Sequence, residues 1–391
     1  MSASKIILSA ALLATCTATP FQAQADSVNA GDRHAAKQVP FESQEIARFD
    51  TPWAMAFLPD GRLLVTEKPG QLYLVAADGA KTEVAGVPDV AASGQNGLLD
   101  VAVAPDFAQS GQIYLTYVAP SAEGTRLVLA RARLDAEAAA TRLADLAVIW
   151  QQNPAGGRGQ PGGIIAFDPE GQHLFLTVGD RMAPETAQEP EMARGKVLRL
   201  TLDGAAAPDN PQAEAGGVRA QTWTTGHRNP YGLAFAPDGR LWAHEMGPRG
   251  GDEFNLITAG QNYGWPLVSN GDNYSGTRIP DHPTRPEFTA PAVYWTPVIA
   301  PAGLVFYQGD MFPDWQGSAL IGGLAAQSLV RVTVAPDAAA ETGGQSGGQA
   351  DEAERWDMGA RIRDVAVAPD GAVWVIEDAA PGALRRLTPV K

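Results

Sequence analysis

Thiols are missing from almost the whole chain. The one cysteine among 391 residues is Cys16, and it falls in an N-terminal segment that reads as a cleavable leader. Lys5 supplies the positive start, Ile6 to Ala14 a short apolar run, and Ala23-Gln24-Ala25 a small-x-small cleavage site before Asp26. Without residues 1–25 the protein has no disulfide, no thiolate metal ligand and no cysteine nucleophile. The apolar run is too short to cross a bilayer and nothing longer follows it, so no transmembrane segment is expected and the destination is periplasmic or secreted. Basic residues are scarce as well. With 29 Lys and Arg against 44 Asp and Glu, the formal net charge is −15, which excludes nucleic acid and anionic membrane as partners. The five histidines are scattered. His244-Glu245 opens like a zinc-protease motif, but Pro248 stands where the second histidine is needed. Long helical periodicity is scarce too.

What the chain has instead is one recurring phrase: an apolar run, a Pro-Asp or Asp-Pro turn with glycine, and a second apolar or aromatic run. It occurs as WAMAFLPDGRLLVTE from Trp53, LLDVAVAPDFAQSGQIYLTYV from Leu98 and GGIIAFDPEGQHLFLTVGD from Gly162. It returns as YGLAFAPDGRLWAHE from Tyr231, GLVFYQGDMFPDWQGSALIGG from Gly303 and IRDVAVAPDGAVWVIED from Ile362. Each phrase is two short β-segments joined by a turn. Six diverged copies, none able to bury both faces alone, predict an all-β protein: a six-bladed β-propeller of four-stranded antiparallel blades around a central channel. Residues 26–391 then form a single domain. Segments 205–217 and 335–354 read as solvated loops.

The densest stretch is 226–276. Asp238-Gly239 separates the runs LAF and LWA and predicts a hairpin. The loops around it combine Arg228 and Asn229 with GPRGGDE and several tyrosines. Cations, amides, carboxylates and free carbonyls gathered in ordered loops suit a polar ligand.

Taken together, GQNGLLDVAVAPDF, GHRNPYGLAF, GPRGGDE, NYGWP and IRDV resemble the soluble pyrroloquinoline-quinone (PQQ)-dependent aldose sugar dehydrogenases, the glucose/sorbosone dehydrogenase family. The resemblance covers nearly the whole mature chain. It implies a six-bladed propeller that binds PQQ and calcium and oxidises aldose sugars at the anomeric carbon to lactones, passing electrons to an external acceptor. PQQ is a planar tricarboxylate, which planar guanidinium forks suit. By the same match, Gln95, Arg228, Asn229, Tyr274, Arg361, Ile362 and Arg363 are its expected contacts, with Arg228 placed to stabilise charge on the quinone oxygen. One calcium ion is implied against the backbone at Gly247 and Pro248, and a structural one near Glu253 and Tyr263, with Tyr263 lending its carbonyl. A hard cation and oxygen donors agree with that assignment.

The match fails at one catalytic position. Aligned on Gly162-Gly163, Gln160 stands where the family has its general-base histidine, and Ile164 replaces an arginine. A glutamine amide is not a base near neutral pH. A lysine common in the family is replaced by Ala325. Asp180, which would support the histidine, is left as the remaining acid–base group, and His244 is the best outside candidate. His227 reads as structural. Two other readings stay open beside the oxidoreductase. One is a non-catalytic propeller that binds a sugar, PQQ or a protein partner. The other is a calcium-assisted lactonase or esterase, which would leave Arg361 and Arg363 unexplained.

Overall fold

The computed structural model describes residues 27–136, 140–336 and 348–390. The expected leader, with Cys16, and residues 337–347 of the 335–354 loop lie outside the described residues. Each of the six repeated phrases forms the first two strands of one blade. The innermost strands are Pro52–Phe57, Leu98–Val103, Gly162–Phe167, Pro230–Phe235, Pro301–Phe306 and Ile362–Val367. Each touches the next, and the last touches the first, so they close a ring around the channel. Five blades are four-stranded and antiparallel. The fourth blade has a fifth strand, because Val28–Asn29 adds in parallel to Val293–Trp295. The sixth blade takes its outermost strand, Phe41–Phe49, from the N-terminal side of the first blade. That borrowed strand closes the ring in sequence as well as in space.

The Pro-Asp-Gly turns explain why the phrase repeats. In three blades the glycine N–H donates to the carbonyl three residues back: Gly61 to Leu58, Gly239 to Ala236 and Gly371 to Ala368. Proline presets φ, glycine supplies the positive φ that closes the turn, and the aspartate accepts from the N–H two residues on. Those last bonds are Arg62 to Asp60, Arg240 to Asp238 and Ala372 to Asp370.

Neighbouring blades are stitched together where each innermost strand bulges near its start. The hydroxyls of Thr66, Thr116 and Thr177, each on a second strand, donate to the next blade at Leu99 O, Gly163 O and Pro230 O. In the fourth blade His244 stands at that position and its Nε2–H donates to Gly303 O at 2.8 Å. Gly232 makes room for the ring, since a Cβ there would lie 2.2 Å from Nε2. Burial pushes the imidazole down to about 4. His244 is therefore a neutral inter-blade strut, which corrects its reading as a candidate base.

One loop assignment is also corrected. Ala350 to Glu354, the end of the 335–354 segment, is not solvated loop but part of Ala350–Asp357, the outer strand of the fifth blade. Its acidic Glu352 is buried against Trp295 Nε1 (2.6 Å) and Arg355 (2.8 Å). Arg355 in turn donates to Ala30 O and Arg33 O, so the pair pins the N-terminal segment across the blades. Composition could not show that pairing.

Candidate active site

Strand direction alternates within each blade, so the segments entering the innermost strands and those joining second to third strands lie at one end of the channel. That end collects Gln95, Gln160, Arg228 and Arg361 from the first set, with Asp180, Gly247, Ala325 and Asp378 from the second. Residues 257–292 link the third and fourth strands of the fourth blade by a long detour. The detour climbs beside Thr222–Thr225, where Tyr263 N donates to Thr225 O at 2.9 Å. It then delivers Trp265 and Tyr274 to the same end.

At the centre are Asp180, Gln160 and Arg228. Asp180 is fully buried. Its Oδ2 accepts from Trp265 Nε1 at 2.9 Å and its Oδ1 from Met182 N at 2.9 Å. The orientation of the Gln160 amide that satisfies its neighbours lets its nitrogen donate to Asp180 Oδ1 at 2.5 Å, while its oxygen accepts from both Nη atoms of Arg228 at 3.2 and 2.8 Å. Gln160 thus bridges the carboxylate and the guanidinium. Burial raises the Asp180 carboxyl to about 6, against the lowering effect of its N–H donors and the Arg228 charge. A group near that value exchanges a proton in the range where general bases work. Arg228 also donates through Nη1 to the carbonyls of Met246 (3.0 Å) and Gly247 (2.9 Å), and it lies over the rings of Trp265 and Tyr274.

The other expected contacts are distributed around this centre. Asn229 is buried beneath it with Oδ1 accepting from Gly162 N at 3.3 Å. Gln95 Oε1 accepts from Gln160 N at 2.6 Å. Tyr274 is largely exposed, and its hydroxyl is 3.5 Å from Arg228 Nη2. Arg361 precedes its strand and Arg363 lies within it, and both converge on Asp378 at 2.7 and 2.9 Å. Arg363 is buried over Trp53 and lines the channel, whereas Arg361 is half-exposed. Ile362 is buried, so only its backbone can face a ligand. Ala325 lies exposed in the turn at this end, where a lysine would have reached outward.

Beside Arg228 is a void with room for about one water-sized particle, lined by Gly247, Glu245, Glu253, Tyr263 and Ser269 among others. Glu253 accepts from Asn255 Nδ2 at 3.1 Å and faces His282 Nε2 at 3.3 Å. Glu245 is already held by His227 Nδ1 and the Arg228 N–H, which makes His227 structural. Tyr263 stacks on His227 and its hydroxyl donates to Leu256 O. Among the described residues no three His, Cys, Asp or Glu side chains form a metal cluster, so an ion here would depend on carbonyls. Pro248 is buried at the rim of the loop. Asp252 shapes that loop by accepting from Gly247, Ile299 and Ala300 N–H groups.

Several residues of this constellation were not singled out from the sequence. Trp265 sits in NYGWP and Asp378 ends VWVIED, so motif position could have marked both. Arg181 and His282 carried no sequence signal beyond residue type, because their partners are distant in the chain.

Among the buried side-chain nitrogens of the described residues that lack a partner, Arg228 Nε lies at this centre. An unpartnered cationic donor beside the exposed Tyr274 ring fits an anionic planar ligand. Comparison with known proteins agrees with this chemistry. The Glucose / Sorbosone dehydrogenase family profile matches residues 49–386. The aldose sugar dehydrogenase YliI of Escherichia coli is 39% identical over 351 residues, covering 88% of this chain and 91% of that protein. A crystal structure of a glucose dehydrogenase superposes with a TM-score of 0.80 at 39% identity, covering 90% of this chain and all of the other. A PQQ-bound aldose sugar dehydrogenase from Streptomyces coelicolor does so with a TM-score of 0.70 at 27% identity, with 90% and 100% covered. With a six-bladed propeller throughout and the match running from the sixth blade's outer strand to its last, this chain belongs to the glucose/sorbosone dehydrogenase family.

Proposed function

We propose that the protein is an exported oxidoreductase that uses PQQ and calcium to oxidise aldose sugars at the anomeric carbon to lactones, with an external electron acceptor. The observation that carries this reading is the unpartnered Arg228 Nε, set beside an ionisable carboxyl at the channel mouth. Bound there, PQQ would supply the two-electron acceptor for hydride. Arg228, Asn229, Gln95 and Tyr274 would hold it, with Arg361 and Arg363 reaching its carboxylates and Ile362 contributing backbone. Glu253, with the Tyr263 carbonyl, would hold a structural calcium ion. Gly247 and Pro248 carbonyls would hold a second ion, which requires Arg228 Nη1 to leave Gly247 O.

Asp180 is the acid–base group of this reading. Asp180 Oδ2 accepts one hydrogen bond, from Trp265 Nε1, and keeps a lone pair to take the proton of the anomeric hydroxyl while the Gln160 amide stays on Oδ1. Trp265 and Met182 N–H groups keep the carboxylate oriented meanwhile. Arg228 donates to oxygen that gains negative charge, and the buried surroundings exclude water. Reconstitution with PQQ and Ca²⁺, followed by assay of aldoses with an artificial electron acceptor, tests the proposal. Bound PQQ with no turnover above the apo-protein on any sugar removes it.

A second reading, a propeller that binds these ligands without chemistry, is favoured by one feature. Every Asp180 oxygen already holds a donor, and the side chain has no exposed surface. That reading requires ligand binding without redox turnover in the same assay.

A further inference from the structure

Arg181, next to Asp180, has a role that the family resemblance does not assign. Its side chain is buried, yet its four hydrogen bonds all go to uncharged acceptors. Nη1 donates to Asn96 Oδ1 (3.0 Å) and Gly159 O (2.9 Å), and Nη2 to Thr125 Oγ1 (3.0 Å) and Gly157 O (3.5 Å). A buried guanidinium without a carboxylate is costly to desolvate, so a fold keeps one only where its fork geometry does something. Here it ties three segments together: the entry to the second blade at Asn96, that blade's own strand at Thr125, and the 157–160 loop.

The loop is shaped around the arginine. A Cβ on Gly157 would lie 2.5 Å from Arg181 Cβ, so only glycine lets the chain pass. The Arg181 N–H donates back to Gln160 O at 3.3 Å, while the Gln160 N–H is held by Gln95. Of seven non-glycine residues with positive φ among the described residues, Gln160, Arg181 and Met182 are three, and they face one another here. Strained backbone persists only where its surroundings over-determine it. The Arg181 side chain holds the Gly157 and Gly159 carbonyls, and Gln95 holds the Gln160 N–H.

We propose that Arg181 is the positioning residue of this site: by holding the Gly157 and Gly159 carbonyls it fixes Gln160 in the left-handed conformation that places its amide between Asp180 and Arg228. The inference rests on the functional reading above for its kinetic consequences, and on geometry alone for the placement. Losing the clamp lets the 157–160 loop drift, and misplacement by about 1 Å can cost about 10²-fold in rate.

The test uses full-length protein reconstituted with PQQ and Ca²⁺, as wild type, Arg181→Ala and Arg181→Lys. Arg181→Ala is expected to lower kcat by about 10²-fold with KM and PQQ affinity little changed. Millimolar guanidinium should restore much of the loss and methylammonium should not, because only the planar fork reaches all four acceptors. Arg181→Lys, charged but unforked, should stay close to Arg181→Ala. Exchange of the Gln160 amide hydrogen should quicken in both variants while exchange in the blade strands stays slow. An unchanged kcat, a loss that guanidinium does not reverse, or an unchanged Gln160 exchange rate overturns the proposal. If wild type itself turns over no sugar, the functional reading fails, and Gln160 exchange still decides the role of Arg181. Should Arg181→Ala not fold, Arg181→Lys carries the same exchange measurement.

Discussion

Replacing Asp180 by asparagine separates the chemistry of this carboxyl from its structural part. Asparagine keeps the shape and removes the basic oxygen. If Asp180 receives the substrate proton, kcat should fall by about 10²–10⁴-fold, the usual scale for a positioned base. The wild-type rate should rise with pH up to about 6, where Asp180 ionises, and level off above it. The variant should lose that limb. Stability sets a second expectation. Burial raises this carboxyl from 3.8 to about 6, so its contribution is fully present below 3.8 and is lost as pH rises through 6. At pH 7 the buried charge costs about 3 kcal/mol. Asparagine removes that cost but turns an N–H₂ toward donors such as Trp265 Nε1, a mismatch of about 1–3 kcal/mol. The two nearly cancel, so the midpoint of thermal unfolding should move little while activity collapses. Steady-state kinetics from pH 4.5 to 8 and calorimetry at pH 7 read both. A variant within a few-fold of wild-type kcat, or one that keeps the acid limb, refutes the assignment of Asp180 as base.

Further outcomes follow from the same geometry. Gln160→His should raise turnover by up to about 10²–10⁴-fold, since histidine tolerates the left-handed backbone at 160 and Asp180 already faces it; single-turnover kinetics with bound PQQ would show the gain. His244→Thr, which installs the residue used in three other blades, should fold and leave the pH–rate profile unchanged. Wild-type stability contributed by His244 is full above 6.5 and is lost as pH falls through about 4, so the variant should lose up to about 3 kcal/mol less between pH 7 and 4 in urea unfolding. Glu253→Gln should reduce the rise in unfolding temperature that Ca²⁺ gives wild type, which for a site filled at 100 times its Kd is about 2.7 kcal/mol; equal rises in both proteins would place the ion elsewhere. Glu352→Ala strands Arg355 without its carboxylate and should cost about 3–5 kcal/mol, measured by chemical denaturation.

The sequence by itself determined the architecture, because the Pro-Asp-Gly phrase carries its own physics. Proline, aspartate and glycine specify the turn locally, and the apolar runs on either side can be buried only by stacking repeats radially. Through the family resemblance it also raised the expectation that Gln160 stands where the family has a base, and it placed Arg228 and Asn229 in a polar loop, a matter of residue type and order. Only the tertiary structure decided what each group can do. His244 and Asp180 look alike as candidate bases in the chain. Packing makes one a neutral strut to Gly303 and brings the other against Gln160, Trp265 and Met182 with its carboxyl raised to about 6. The pairing of Arg361 and Arg363 on Asp378, the Glu352–Arg355 pin and the Arg181 clamp were equally invisible. Turns depend on neighbours in sequence, whereas proton affinity, desolvation and hydrogen-bond partners depend on groups that only folding brings together.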